Sequence, residues 1–163
     1  ELDAARAAEN AELCRHGERM AQHMNDHTSG DVHSGSCLCG QVAFTVREFA
    51  SGIFKCHCSK CRKAFGGASS AAVLAPAAAF SWLRGQQGVL EYREGPGFRR
   101  CFCPNCGCIL PQYLLDYDLY WIPAGLFDAD PGLALSTHIH VRSKAHWEVL
   151  DELTPRREEG FDP

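Results

Sequence analysis

Cys37-Leu38-Cys39-Gly40 and Cys103-Pro104-Asn105-Cys106-Gly107 set the architecture of this chain. In each, two cysteines separated by one or two residues can offer both sulfurs to one tetrahedral ion, a spacing at which an unstrained disulfide is rare. The glycine after each pair can enter the left-handed region and let backbone N–H groups face sulfur, the pattern of a zinc knuckle. Joined, the two half-sites give a closed four-thiolate site, tying the first strand to a later hairpin across about sixty residues. Such a site is structural.

Between them stands Cys56-His57-Cys58-Ser59-Lys60-Cys61. Three thiolates with an open fourth position are the arrangement of a reactive zinc site. A fourth protein donor, with Cys101, Cys108, His57 or a distant histidine as candidates, would make it a second structural site, and spacing alone leaves both readings open. Three thiolates cancel the charge of zinc and leave roughly −1, so generation of hydroxide is weakened and a soft incoming thiol is favoured.

The composition agrees. Nine of the ten cysteines fall in short-spaced groups, and the first thirty residues show no apolar segment followed by a small-residue cleavage site. Read this way there is no secretory signal, and the cysteines point to metal chemistry in the cytoplasm rather than to a disulfide framework. No apolar run approaches the ~20 residues that cross a bilayer, so a soluble protein without membrane contact is expected. A chain of 163 residues suits one domain with a modest core. Structural zinc, at roughly 10–16 kcal/mol in small peptides, would rival the roughly 5–15 kcal/mol of a whole domain.

Residues 1–34 carry seven acids and three arginines and thus the entire net charge of −4. Residues 1–30 read as a polar helical extension or a remnant of cloning. A helix over 3–24 would be capped by Asp3 and striped thinly by Leu13, Met20 and Met24, with Cys14 an incidental thiol. Residues 31–163 form the predicted domain. Within it Lys55, Lys60, Arg62 and Lys63 crowd the central cysteines with no acid among them, an anion-attracting patch too short to indicate nucleic acid.

From Ser36 onward the period is two. Val42, Phe44 and Val46 alternate with polar partners, and β-like runs recur at 71–75, 88–93, 98–102, 109–114, 117–122 and 136–141, punctuated by glycine and proline. A mainly β domain of small antiparallel sheets is expected, with the cysteine groups at turns between strands. His138 and His140 would project from one face of the last run, as hydrogen-bonded side chains rather than a shared metal site. Trp82, Tyr92, Tyr113, Tyr117, Tyr120, Trp121 and Trp147 read mostly as core or rim aromatics.

Ser36-Cys37-Leu38-Cys39-Gly40-Gln41-Val42, then Cys56-His57-Cys58-Ser59-Lys60-Cys61-Arg62-Lys63 with Gly66-Gly67, then Phe102-Cys103-Pro104-Asn105-Cys106-Gly107 closely resemble the glutathione-dependent formaldehyde-activating (GFA) family, which includes centromere protein V. The resemblance runs from about Gly35 to Trp147 and continues in Phe80-Ser81-Trp82, Gly85 and His138-Ile139. It implies a β-tent of small twisted antiparallel sheets and two zinc ions. Cys37, Cys39, Cys103 and Cys106 would hold the structural ion, and Cys56, Cys58 and Cys61 the second. Cys101 and Cys108 depart from the family pattern. Either could close the second site, or the two could form a redox pair across the knuckle hairpin.

The resemblance also implies a carbon–sulfur lyase like S-(hydroxymethyl)glutathione synthase, joining glutathione or a similar small thiol to formaldehyde or another small aldehyde. The alternative is a non-catalytic, zinc-stabilised module that binds glutathione or a protein. In the enzyme reading Lys60, Arg62, Lys63 and free N–H groups at Gly66 and Gly67 would meet the carboxylates of the thiol, and His57 is the first candidate for a general acid.

Overall fold

Short runs of alternating apolar and polar residues bounded by turn residues bury one face each, so they pair into small sheets rather than one large one. The computed structural model describes residues 31–95 and 98–161. The first sheet pairs β1 (His33–Ser36), β2 (Ala43–Val46) and β5 (Phe80–Arg84) in the order β1-β2-β5. The second holds β3 (Ile53–Cys56), β4 (Ser70–Pro76), β9 (Gln112–Leu114), β10 (Leu119–Pro123) and β11 (Leu135–Ile139) in the order β11-β3-β4-β10-β9. The third is the meander β6 (Leu90–Glu94), β7 (Phe98–Phe102) and β8 (Ile109–Leu110). All pairings are antiparallel except β3 with β11. The helix α1 (Ser59–Phe65) follows β3 directly.

All three sheets share one core. Phe44 of β2 stacks on Phe80 of β5, and Phe80 stacks in turn on Tyr120 of β10 with centroids 3.8 Å apart. Leu110, Cys101 and Cys103 bring the third sheet into the same cluster. Burying one such side chain is worth roughly 1.5–3 kcal/mol. Alternation then sends Val73, Ala75, Tyr120 and Ile122 to this core and Ala72, Leu74 and Trp121 to the opposite face of the five-stranded sheet, where Phe54, Cys56, Cys61 and Ile139 form a second cluster. The central cysteines thus lie against the far face of the sheet from the main core.

The chain end returns to brace that sheet. His138 N donates to Pro155 O and Arg157 N to His138 O, each at 2.8 Å, so the segment after residue 151 runs beside β11.

Mainly β architecture with small antiparallel sheets stands as read from the sequence. Run 98–102 is strand throughout, but run 109–114 is two strands of different sheets, because Pro111 has no N–H to continue the ladder. Strands β1, β3 and β5 lie outside the predicted runs. The central cysteines do not sit at a turn between strands: Cys56 ends β3, Cys58 caps α1 and Cys61 lies in its first turn. The predicted helix over 3–24 and Cys14 fall outside the described residues. Among the described residues no helix is long and apolar enough to cross a membrane.

Candidate metal centres

The turn between β1 and β2 carries Cys37 and Cys39; the turn between β7 and β8 carries Cys103 and Cys106. Gly40 and Gly107 adopt φ of 72° and 71°, and their N–H groups close the turns onto Cys37 O (2.8 Å) and Cys103 O (2.9 Å). Val42 N lies 3.3 Å from Cys37 Sγ, the N–H-to-sulfur contact that a knuckle supplies. The four sulfurs all lie within 4.8 Å of one another, with Cys37–Cys39 at 3.5 Å and Cys39–Cys103 at 3.8 Å. Zinc–sulfur bonds of about 2.3 Å at tetrahedral angles place sulfurs about 3.8 Å apart, so these residues fit the ion. The Asn105 side chain, then the Gln41 backbone, draws the Cys39 thiol down to about 6. Burial pushes Cys103 up to about 11, a proton that a metal would have to displace.

The second group is Cys56, Cys58 and Cys61, again with sulfurs mutually within 4.8 Å. No fourth His, Cys, Asp or Glu donor among the described residues belongs to it. Cys101, fully buried on β7, is engaged in a disulfide, which the expectation of metal chemistry alone did not include, and Cys108 is a free thiol beside the first group, so neither joins the three and the two do not form a redox pair with each other. Cys58 caps α1 by accepting from Cys61 N at 3.4 Å. Hydrogen bonds from Cys56 first, then Cys61, hold Cys58 far below the ordinary thiol range, while Cys58 raises Cys56. Three sulfurs this close are a ligand set that a cation completes.

Arg100 was not singled out in the sequence. It lies on β7, 7% exposed, with Nη2 3.0 Å from Cys61 Sγ and Nη1 2.7 Å from Arg99 O. Its guanidinium sits over the rings of Phe98 (4.3 Å), Trp121 (4.9 Å) and Phe65 (5.7 Å). A buried guanidinium without a counter-charge is costly, and among the described residues no carboxylate pairs with it. The sulfurs are that counter-charge. Its sequence signal was faint: a second arginine in Phe98-Arg99-Arg100-Cys101-Phe102, where alternation buries one of the pair.

His57 is fully buried, and its Nε2 lies 2.9 Å from His138 Nδ1, whose other nitrogen lies 3.3 Å from Asp151 Oδ2. Burial first, then the charge of His138, lowers its pKa and keeps it neutral. His140 lies just past the strand at φ 55°, with Nδ1 3.8 Å from Glu159 Oε2, so the two histidines do not share a metal; His138 is hydrogen-bonded and His140 is half-exposed. Trp82, Tyr113, Tyr120 and Trp121 pack inside, whereas Tyr92, Tyr117 and Trp147 are exposed.

Lys60, Lys63 and Arg100 line a cavity of about 590 Å³ between α1 and the third sheet, walled by Phe98 and Phe102. Arg62, also expected at the anion patch, is not among its lining residues. The N–H groups of Gly66 and Gly67 are not free as expected. Both donate to Arg62 O to close the C-terminus of α1.

Residues 32–143 match the profile described as "Glutathione-dependent formaldehyde-activating enzyme". The chain belongs to this family. The GFA profile spans both cysteine groups, β1 through β11 and Arg100. A crystal structure of a Rhodobacter sphaeroides protein, a structural genomics target, superposes with a TM-score of 0.50 at 24% identity, covering 60% of this chain and 91% of that one. That likeness concerns the fold alone. No curated protein matches the chain.

Proposed function

We propose that the protein holds two zinc ions and joins glutathione, or a similar small thiol, to formaldehyde or another small aldehyde, acting in the cytoplasm as a carbon–sulfur lyase of the S-(hydroxymethyl)glutathione synthase type. Cys37, Cys39, Cys103 and Cys106 would hold the structural ion and Cys56, Cys58 and Cys61 the second. The observation that carries this reading is the three-sulfur group, to which no fourth described donor belongs, beside a cation-lined cavity. The ion, when bound, supplies a soft fourth position at which a thiol is deprotonated.

The residues of the chain do the rest. Arg100 offsets the excess negative charge of the sulfurs, and Lys60 and Lys63 draw an anionic thiol toward them. His57, buried and hydrogen-bonded to His138, steadies the Cys56–Cys58 turn, a positioning role in place of the general acid expected from sequence. In the reaction the thiol sulfur bonds to the carbonyl carbon as the C=O π bond opens, and the thiol proton ends on oxygen, so no redox partner is needed. Holding the two reactants together provides the rate.

Formaldehyde consumption by the zinc-loaded protein with glutathione tests this. It should exceed the rate with glutathione alone, and Cys58→Ser should bring it back to that rate. Equal rates with and without protein would leave a binding module.

A further inference from the structure

A line of buried hydrogen bonds ties the three-cysteine group to the segment that follows β11. His57 stands between Cys56 and Cys58, with its backbone N–H donating to Ile139 O at 3.0 Å and its Nε2 2.9 Å from His138 Nδ1. Both anchors belong to β11. His138 is itself 2% exposed, and its Nε2 lies 3.3 Å from Asp151 Oδ2. Asp151 is half-exposed, yet its carboxylate is not free to turn. Oδ1 accepts from Leu153 N at 3.0 Å and from Thr154 N at 2.6 Å, which leaves Oδ2 for His138. The Thr154 backbone first, then the Thr154 side chain and His138, hold this carboxyl well below the usual carboxylate range, so it only accepts. The nitrogen facing it, His138 Nε2, is therefore the one that carries a proton. Three backbone bonds of 2.8 Å seat the segment beside β11: His138 N to Pro155 O, Arg157 N to His138 O and His140 N to Glu159 O. The match to the family profile ends at residue 143, so the carboxylate comes from beyond it.

We infer that Asp151 is a positioning residue for the three-cysteine centre, acting through His138 and His57 to fix the turn that carries Cys56 and Cys58. The inference rests on the proposed function in that these sulfurs hold a metal. Two buried imidazoles brace a turn only while each donor between them faces an acceptor, because a mismatched pair in a dry site repels. Asp151 sets that match from the outer end. An acceptor at its position keeps the proton on His138 Nε2, whereas a donor there removes it and changes what His138 Nδ1 offers to His57. Seating of residues 151–159 and the shape of the metal centre are thereby coupled, and groups behind the ligands tune a metal site through this kind of contact.

The test compares two variants with the wild type in the zinc-loaded full chain. Asp151→Asn keeps an oxygen for Leu153 N and Thr154 N, and so keeps the turn, but sets an amide N–H group before His138 Nε2. Long-range proton–nitrogen NMR of the imidazoles reads where the protons sit, and competition with a chromogenic chelator reads how tightly each zinc ion is held. In Asp151→Asn, His138 Nε2 should change from proton-bearing to bare. One zinc ion should be held at least about tenfold more weakly, the low end for a group behind the ligands, while the other keeps its affinity. Asp151→Glu, which restores a carboxylate, should hold that ion more tightly than Asp151→Asn. An unchanged His138 Nε2, or both ions held as in the wild type, overturns the role. Equal loosening of both ions overturns it too, since Asp151 would then serve general stability. A wild type that holds a single zinc ion would overturn both this inference and the proposed function. Selective loosening of one ion in a protein without thiol–aldehyde chemistry would sink the proposed function and leave this inference standing. Chemistry in the wild type, with Asp151→Asn binding zinc equally well, would do the reverse.

Discussion

Replacing Cys37 and Cys103 together by alanine removes one sulfur from each half of the four-sulfur group and should cost the clamp between the β1–β2 and β7–β8 turns. Its size can be worked from chain separation. Cys39 and Cys103 lie 64 residues apart. Treated as a cross-link, a loop of that length removes about 4 kcal/mol of denatured-state entropy at 25 °C. The same relation gives about 2 kcal/mol for the five-residue span from Cys56 to Cys61, so the two groups should differ about twofold in their effect on stability. For a chain this size about 4 kcal/mol corresponds to roughly 8–16 °C in Tm. Thermal and urea unfolding of the wild type, the double variant and Cys58→Ala, each with zinc and with a chelator, separate the metal-dependent part from the loss of two buried side chains. The double variant should lose most of the zinc-dependent stabilisation and Cys58→Ala the smaller share. Unchanged zinc content and an unchanged midpoint in the double variant would refute the clamp.

Two further outcomes follow from buried polar groups. His138→Leu leaves His57 Nε2 without its partner in a fully buried position, so urea denaturation should show a loss of about 1–3 kcal/mol. Tyr120 is pushed up to about 12 from the ordinary 10.0 by burial, which outweighs the lowering by the Trp82 side chain. Its folded pKa exceeds its unfolded one, so its contribution is intact below pH 10 and is lost as pH rises toward 12, by at most about 3 kcal/mol. Tyr120→Phe should flatten the fall in stability over that interval and cost little at pH 7; an identical alkaline profile would rule the phenol out.

What could be read in the sequence was whatever chemistry or periodicity wrote locally. The knuckles were legible because Cys37-x-Cys39-Gly40 and Cys103-x2-Cys106-Gly107 each encode a turn and two sulfurs within five residues, and the fold brings them together. β7 was legible as a short run closed off by the glycines at 95 and 97 before it and the knuckle after it. β1, His33-Ser34-Gly35-Ser36, has no apolar residue to mark it, and β3 is four residues long with a lysine inside, so neither produces a period. The helix α1 was hidden because its cap is a cysteine, Cys58, rather than one of the usual Ser, Thr, Asp or Asn caps. Arg100 and the His57–His138–Asp151 chain depend on contacts across 39, 81 and 13 residues, which only the folded chain supplies.

The central claim is that Cys56, Cys58 and Cys61 leave room for one more sulfur. Zinc-edge X-ray absorption of the zinc-loaded protein, recorded before and after glutathione is added, counts sulfurs directly. Two zinc ions with four and three protein sulfurs give a mean of about 3.5 sulfurs per ion, which glutathione should raise to about 4 at the usual zinc–sulfur length of about 2.3 Å. A mean of 4 before addition, or a spectrum that glutathione does not change, would contradict the account.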